Sequence, residues 1–311
     1  MSTIEKALEK LKQGSILSQD RVAATEAVVP EYLPNGAREP TAIEPQPAPF
    51  IGDTDKLLED AEKAGKTSRR LILNLVKLEK MGFLTPEAGR SQLSEEMRHI
   101  KRSLLLNAFG PQRHADGKNL NLIMVTSSNP GEGKTYTSLN LAMSIAKERD
   151  KTVLLVDADV AKPGVTRVLG QEAAKGLVDY LVDDALDISD VMMKTNVPNL
   201  RFIPAGKRHI HSTELLTSEN MKQLTSELAT RYPDRVVIFD SPPLLATSEA
   251  SVVVELVGQI LMVVEAGKTS NEEVQEALRL IGENRILGLV LNKTRGSFGT
   301  DYYGNYGNYG E

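Results

Sequence analysis

Between residues 119 and 292 the chain alternates short apolar runs with segments of helical period. The apolar runs predict strands at Leu120–Ser127, Thr152–Asp157, Leu200–Pro204, Arg235–Asp240, Gln259–Glu265 and Ile286–Leu291. Their Val, Ile and Leu content is nearly continuous rather than alternating, as expected of strands covered on both faces. Helical periodicity predicts Lys134–Arg149, Ser212–Tyr232 and Asn271–Glu283 as the covering helices. Strand and helix in turn predict an α/β fold, a doubly wound, mostly parallel sheet over residues 119–295.

Before this domain, residues 53–118 read as a mainly helical extension broken at Gly82 and Pro86. Its most periodic piece runs from Ser91 to Phe109, with Leu93, Met97, Ile100, Leu104 and Leu105 as an apolar stripe. Glu95, Arg98 and Lys101 follow one another at three-residue spacing on another face, ordinarily a solvated one. Residues 15–52 read as a linker: Pro30, Pro34, Pro40, Pro45, Pro47 and Pro49 exclude both a helix and a central strand. Residues 1–14 hold an amphipathic helix, with Ser2 and Glu5 as a capping box, Gly14 as the stop, and Ile4, Ala7, Leu8 and Leu11 on one side. Residues 296–311 form a flexible, glycine-rich tail carrying Tyr302, Tyr303, Tyr306 and Tyr309, half of the chain's eight tyrosines.

Composition narrows the chemistry. Cysteine is absent, which excludes disulfides, thiol nucleophiles and Cys-based metal sites, and four histidines make a His-rich metal site a poor expectation. A net charge of −5 speaks against a nucleic-acid partner. The longest apolar stretch, Val252–Val264, contains Glu255 and Gln259 and falls short of the ~20 residues a membrane span needs. The expectation is a soluble, cytoplasmic protein that reaches an inner membrane only through something else.

The densest signal is SSNPGEGKT, residues 127–135, which follows the apolar NLIMV and opens a helical segment. That is the context a phosphate-binding loop requires. Gly131 and Gly133 let backbone N–H groups approach phosphate closely, and the helix N-terminus adds a favourable dipole. Lys134 suits the terminal phosphates and the Thr135 hydroxyl suits Mg²⁺. The predicted nucleotide-binding residues are Asn129, Pro130, Gly131, Glu132, Gly133, Lys134, Thr135 and Tyr136. Ser128 stands where the strict pattern has its first glycine, a mild departure because serine is small. A second GKT at Gly65-Lys66-Thr67 has Asp60 at the glycine position and no preceding strand. Two further strands end in acid: LLVDAD supplies Asp157 and Asp159, and VVIFDSPP supplies Asp240. Carboxyl ends of parallel strands face the ligand crevice, so these three acids are expected at the loop's Mg²⁺.

The loop, LLVDAD (154–159), VVIFDSPP (236–243) and the tyrosine-rich tail together resemble the bacterial tyrosine kinases, P-loop autokinases of capsule and exopolysaccharide export. The likeness is strongest to the autokinases of exosortase-linked exopolysaccharide clusters. It extends over about residues 85–311, through EEMRHIKRSLLLNAFG (95–110), GLVDYL (176–181) and ELLTS (214–218). It implies a nucleoside-triphosphatase fold of the deviant Walker, partitioning-ATPase-like type, with ATP and Mg²⁺ as cofactors. It assigns Lys134, Asp157 and Asp159 to catalysis, with Asp157 as the base for the tyrosine hydroxyl. It places Thr135, Asp157, Asp159 and Asp240 at the metal, Asn292 at the adenine base, and Tyr302, Tyr303, Tyr306 and Tyr309 as phosphoacceptors. Glu95, Arg98 and Lys101 fall on the family's self-association motif, with lysine for its last arginine, which weakens a bidentate contact. The family's arginine pair after the second motif reads Ala161-Lys162 here. The implied partners are a homo-oligomer phosphorylating in trans, a membrane-embedded chain-length regulator as separate activator, and a tyrosine phosphatase.

Two rival readings remain open at this level. A non-kinase ATPase switch of the partitioning or septum-placement type shares the sheet and the loop. It carries a signature lysine early in the loop, where this chain has Ser128, Asn129 and Pro130, and it has no use for tail tyrosines. A scaffold that assembles through its Tyr/Gly/Asn tail would be indifferent to Lys134.

Overall fold

The computed structural model describes residues 69–110, 119–209, 212–232, 234–282 and 286–294. The chain divides into Met1–Phe50 and Ile51–Glu311, and all described residues belong to the second unit. The expected N-terminal helix, the Pro-rich linker and the tail with its four tyrosines lie outside the described residues.

Eight strands form one sheet: β1 (Arg69–Leu71), β2 (Leu122–Ser127), β3 (Thr152–Asp157), β4 (Met193–Thr195), β5 (Leu200–Ile203), β6 (Arg235–Asp240), β7 (Gln259–Glu265) and β8 (Ile286–Asn292). Their order is β1-β4-β5-β3-β6-β2-β7-β8, and every neighbouring pair is parallel except β4 with β5. The expected doubly wound, mostly parallel sheet is therefore present. All six expected strands occur, with ends shifted by up to two residues.

The ten helices among the described residues are α1 (Leu75–Lys80), α2 (Gln92–Phe109), α3 (Lys134–Ala146), α4 (Gly164–Val168), α5 (Leu177–Val182), α6 (Ile188–Val191), α7 (Ser212–Leu216), α8 (Glu219–Thr230), α9 (Glu249–Leu256) and α10 (Asn271–Ile281). None is long and apolar enough to cross a membrane.

Alternate residues of the central strands feed two cores. Leu122, Met124, Leu154, Val156, Val237 and Phe239 pack with Leu224 and Leu228 of α8 and Val253 and Val254 of α9. Ile123, Val125, Val153, Leu155, Val236 and Ile238 pack with Leu139, Leu141, Met143 and Ile145 of α3 and Met97 and Leu104 of α2. Both faces are dry, which is why these strands read as unbroken apolar runs. Helix α3 is buried nearly all round because α2 covers its outer side. The stripe predicted on α2 is the face it uses: Met97 and Leu104 are buried, and Leu93, Ile100 and Leu105 pack beside them.

Three departures have physical causes. The extension expected to be mainly helical contains β1, only three residues long, which exists because β4 offers it a parallel edge. Strand β4 also carries too short a pattern to read alone and is held antiparallel to β5, with Asn199 in the left-handed region at φ 64°. The single helix expected over Ser212–Tyr232 splits in two. The Ser218 hydroxyl accepts from Met221 N (3.3 Å) and starts α8 afresh.

Candidate active site

Strand β2 lies between β6 and β7, with β3 beyond β6, so the C-terminal ends of these strands share one edge. The loop 127–134 leaves β2 there and turns directly into α3. Gly133 stands at the helix N-cap with φ 106° and Gly131 has φ 87°, both in the region glycine favours. A Cβ on Gly133 would also lie 2.0 Å from Nδ2 of Asn292, so a larger residue there would displace that side chain from the loop.

The acids predicted at this edge converge with the loop. Lys134 Nζ donates to Asp159 Oδ2 at 2.7 Å. Asp240, wholly buried at the end of β6, accepts from Thr135 Oγ1 (2.7 Å) and Ser138 Oγ (2.9 Å). Asp157, paired in register with Asp240, accepts from the Thr166 backbone N–H at 2.7 Å. Its second carboxylate oxygen, Oδ1, is buried without a hydrogen-bond partner.

Electrostatics follow from this crowding. Burial, reinforced by the Asp240 charge, pushes the Asp157 carboxyl up to about 7. Burial also raises Asp240, against the opposing pull of Lys134 and hydrogen bonds from Thr135 and Ser138. Burial alone would lower Lys134, but Asp240 and Asp159 outweigh it and hold the ammonium above its ordinary range. Three carboxyls thus crowd one ammonium, and two of them ionise less readily than usual.

Among the described residues, no group of three or more His, Cys, Asp and Glu side chains could hold a metal by itself. The donor set is nevertheless the kind Mg²⁺ takes: one hydroxyl and carboxylates, hard oxygens only, supplying part of a shell that phosphate and water complete. Asp157 keeps one oxygen, Oδ1, uncommitted, open to a proton as well as to an ion. The residues that could hold such an ion are Thr135, Asp157, Asp159 and Asp240.

The rest of the loop is braced from β7, α10 and β8. Glu132, 2% exposed, accepts from the Asn129 N–H (3.0 Å) and from the Thr269 hydroxyl. Asn129 Nδ2 donates to Glu273 Oε1 at 2.8 Å, and Glu273 also closes the capping box of α10 with Ser270. Asn292 Nδ2 donates to Glu132 O at 2.8 Å, so the residue expected at the base also touches the loop. Tyr136 turns away from the loop. Its hydroxyl donates to Gly82 O at 2.8 Å and its ring packs on Phe83, with centroids 5.2 Å apart.

Ser138, Thr166, Thr269, Glu273 and Lys293 escape sequence reasoning. Ser138, Thr269, Glu273 and Lys293 are ordinary polar residues whose partners lie more than a hundred positions away, while Thr166 reaches Asp157, nine residues back, through its backbone N–H, which no side-chain pattern announces; only the capping position of Glu273 carried a local signal.

The predicted trio on α2 divides. Glu95 and Arg98 form an exposed ion pair at 2.7 Å. Lys101 is buried, paired with Glu148 (2.5 Å) and donating to Ser144 O (3.2 Å). It fastens α2 to the end of α3 rather than joining the exposed pair.

Known proteins resemble this chain in sequence and in fold. A family model described as an AAA domain matches residues 120–286. "Tyrosine-protein kinase CpsD" of Streptococcus agalactiae is 32% identical over 210 residues, 66% of this chain and 88% of its own length. The solved "BceF Tyrosine Kinase Domain" superposes with a TM-score of 0.55 at 29% identity, over 76% of this chain and 88% of that one. "The kinase domain of Escherichia coli tyrosine kinase ETK" superposes with a TM-score of 0.54 at 25% identity, over 73% and 98%. With a loop built for phosphate, three acids at adjoining strand ends and these likenesses, the chain belongs to the bacterial tyrosine-protein kinase family.

Proposed function

We propose that this protein is an ATP-dependent protein-tyrosine autokinase whose acceptors are Tyr302, Tyr303, Tyr306 and Tyr309. The observation that carries the reading is the juxtaposition of Lys134 with Asp157, Asp159 and Asp240 at the mouth of a phosphate-binding loop. A plain phosphate-binding site needs cations and N–H groups. Three carboxylates beside them suit a site that also handles a metal and a proton.

In the proposed reaction the tyrosine oxygen forms a bond to the γ-phosphorus as the bond to the bridging β–γ oxygen breaks, and ADP leaves. Loop N–H groups and Lys134 hold the phosphates and balance charge as it moves to the leaving group. Thr135, Asp159 and Asp240 would hold Mg²⁺, which when bound would supply positive charge to offset that of the phosphates. The phenolic proton passes to Asp157, whose Oδ1 has no competing donor. A base half-ionised near pH 7 suits this task, because it is available unprotonated yet binds a proton firmly enough to help. Asp157 is fully buried, so this step requires a local rearrangement that exposes it to the incoming tyrosine.

The tail begins just after β8, whose last residue touches the loop. A glycine-rich segment of this kind reaches a neighbour's site more readily than it folds back on its own, so transfer is proposed in trans within a homo-oligomer. The biological role proposed is control of exopolysaccharide synthesis and export from the cytoplasmic side of the inner membrane. A membrane-embedded chain-length regulator would serve as activator and a tyrosine phosphatase would reset the tail.

A mixing experiment tests the central step. Lys134→Met in the full chain serves as acceptor, and an active chain lacking residues 300–311 serves as donor. With ATP and Mg²⁺, phosphotyrosine is expected on the acceptor's tail. An unmodified acceptor, where intact wild type does label itself, would rule out transfer in trans.

A further inference from the structure

Two consecutive carbonyls at the crest of the loop, those of Gly131 and Glu132, each accept one hydrogen bond from two consecutive residues at the end of β8. Lys293 Nζ donates to Gly131 O at 2.7 Å and Asn292 Nδ2 donates to Glu132 O at 2.8 Å. Lys293 adopts φ 59°, one of two non-glycine residues in the left-handed region among those described. Such a backbone is disfavoured for a side chain bearing a Cβ, and residues held this way cluster at functional sites. Here the turn brings the Lys293 side chain back over the loop. Its ammonium is aimed by a second contact: Glu265 Oε2, at the end of β7, lies 3.1 Å away and is shared with Lys268 at 3.2 Å.

We infer that Lys293, together with Asn292, is a positioning residue that sets the direction of the phosphate-facing N–H groups of the loop. The reason is the planarity of the peptide unit. The Gly131 C=O and the Glu132 N–H belong to one rigid plane and point in opposite directions, as do the Glu132 C=O and the Gly133 N–H. Fixing each oxygen toward β8 aims each N–H the other way. Gly131 and Gly133 leave the loop backbone free to turn, so a tether outside the loop is what selects one arrangement. A concave run of aligned N–H groups is the arrangement that binds an anion. Lys293 thus acts on the nucleotide through the loop, without touching it.

This inference rests on the reading of residues 127–135 as a nucleotide phosphate site. The test measures binding of a fluorescent N-methylanthraniloyl ATP with Mg²⁺ to the full chain, alongside thermal melting of the free protein. Lys293→Ala is expected to weaken binding about tenfold, the usual scale for losing one hydrogen bond from a charged group. Lys293→Arg, which keeps a cationic donor, should recover most of the loss. Lys293→Gly separates positioning from mere stability: it relieves the left-handed backbone and should melt no lower than wild type, yet bind as weakly as Lys293→Ala. Binding by the Ala and Gly variants within twofold of wild type would overturn the inference while leaving the site intact. Wild type that binds no nucleotide would remove the reading of the loop itself, and this one with it.

Discussion

Lys134 and Asp159 form a nearly dry ion pair, with Nζ and Oδ2 2.7 Å apart and side-chain exposures of 11% and 5%. The lysine that should hold phosphate is thus held by a carboxylate in the free protein. Asp240 and Asp157 also attract it, so the ammonium is never without a counter-charge. Phosphate arriving at the loop would compete with Asp159 for the same ammonium.

Asp159→Asn is therefore expected to destabilise the free chain by about 1–3 kcal/mol. That is less than the usual cost of breaking a buried pair, because two acids remain nearby. A non-hydrolysable ATP analogue with Mg²⁺ should narrow the gap, since phosphate oxygens replace the lost charge. Melting curves of both proteins with and without the analogue check this.

The stability of the free protein should fall as pH rises from 5 to 8. Asp157 titrates near 7 in the folded chain and near 3.8 otherwise, so between those values the folded state binds more protons than the unfolded one. Stability contributed this way is complete below the lower value and is lost as pH climbs through the upper one. Asp157→Asn removes the titration and should flatten the melting temperature over that range. An unchanged slope in the variant would assign the effect elsewhere.

Gly164 opens α4 against the loop's helix, and a Cβ there would sit 2.3 Å from Thr135 Oγ1. Gly164→Ala should push the Thr135 hydroxyl off Asp240 while leaving the sheet untouched. We expect the Mg²⁺ concentration needed for half-maximal phosphorylation to rise several-fold, with circular dichroism unchanged. The measurement is a magnesium titration of autophosphorylation.

The trio on α2 should separate in the same way its contacts do. Lys101→Ala leaves Glu148 without its buried partner and should lower stability by about 1–3 kcal/mol. Glu95→Ala and Arg98→Ala remove an exposed pair and should change stability by less than about 1 kcal/mol. Any shift in oligomeric state, read by analytical ultracentrifugation, is expected from Glu95 or Arg98 and not from a well-folded Lys101→Arg.

Much of this architecture can be read along the chain because the central strands are buried on both faces, and burial on both faces leaves an unmistakable apolar run. The positions of the loop and of the three acids are equally legible, since the loop leaves one strand end and the acids stand at or just past two others, ends whose place the apolar runs announce. Strands β1 and β4 are not, because three residues carry no period and their pairing comes from distant neighbours. Lys101 misleads because three-residue spacing looks the same for an exposed charge and for one that reaches another helix. Lys293 and Glu273 stay hidden for a related reason: their partners lie more than a hundred residues away in sequence.

The most direct test of the account is to incubate the purified full chain with ATP and Mg²⁺, with and without a membrane activator, and to locate phosphate by mass spectrometry. Phosphotyrosine should accumulate among Tyr302, Tyr303, Tyr306 and Tyr309 in wild type, be absent in Lys134→Met, and fall steeply in Asp157→Asn. A tail that stays unmodified under every condition, or one labelled equally in Lys134→Met, would contradict it.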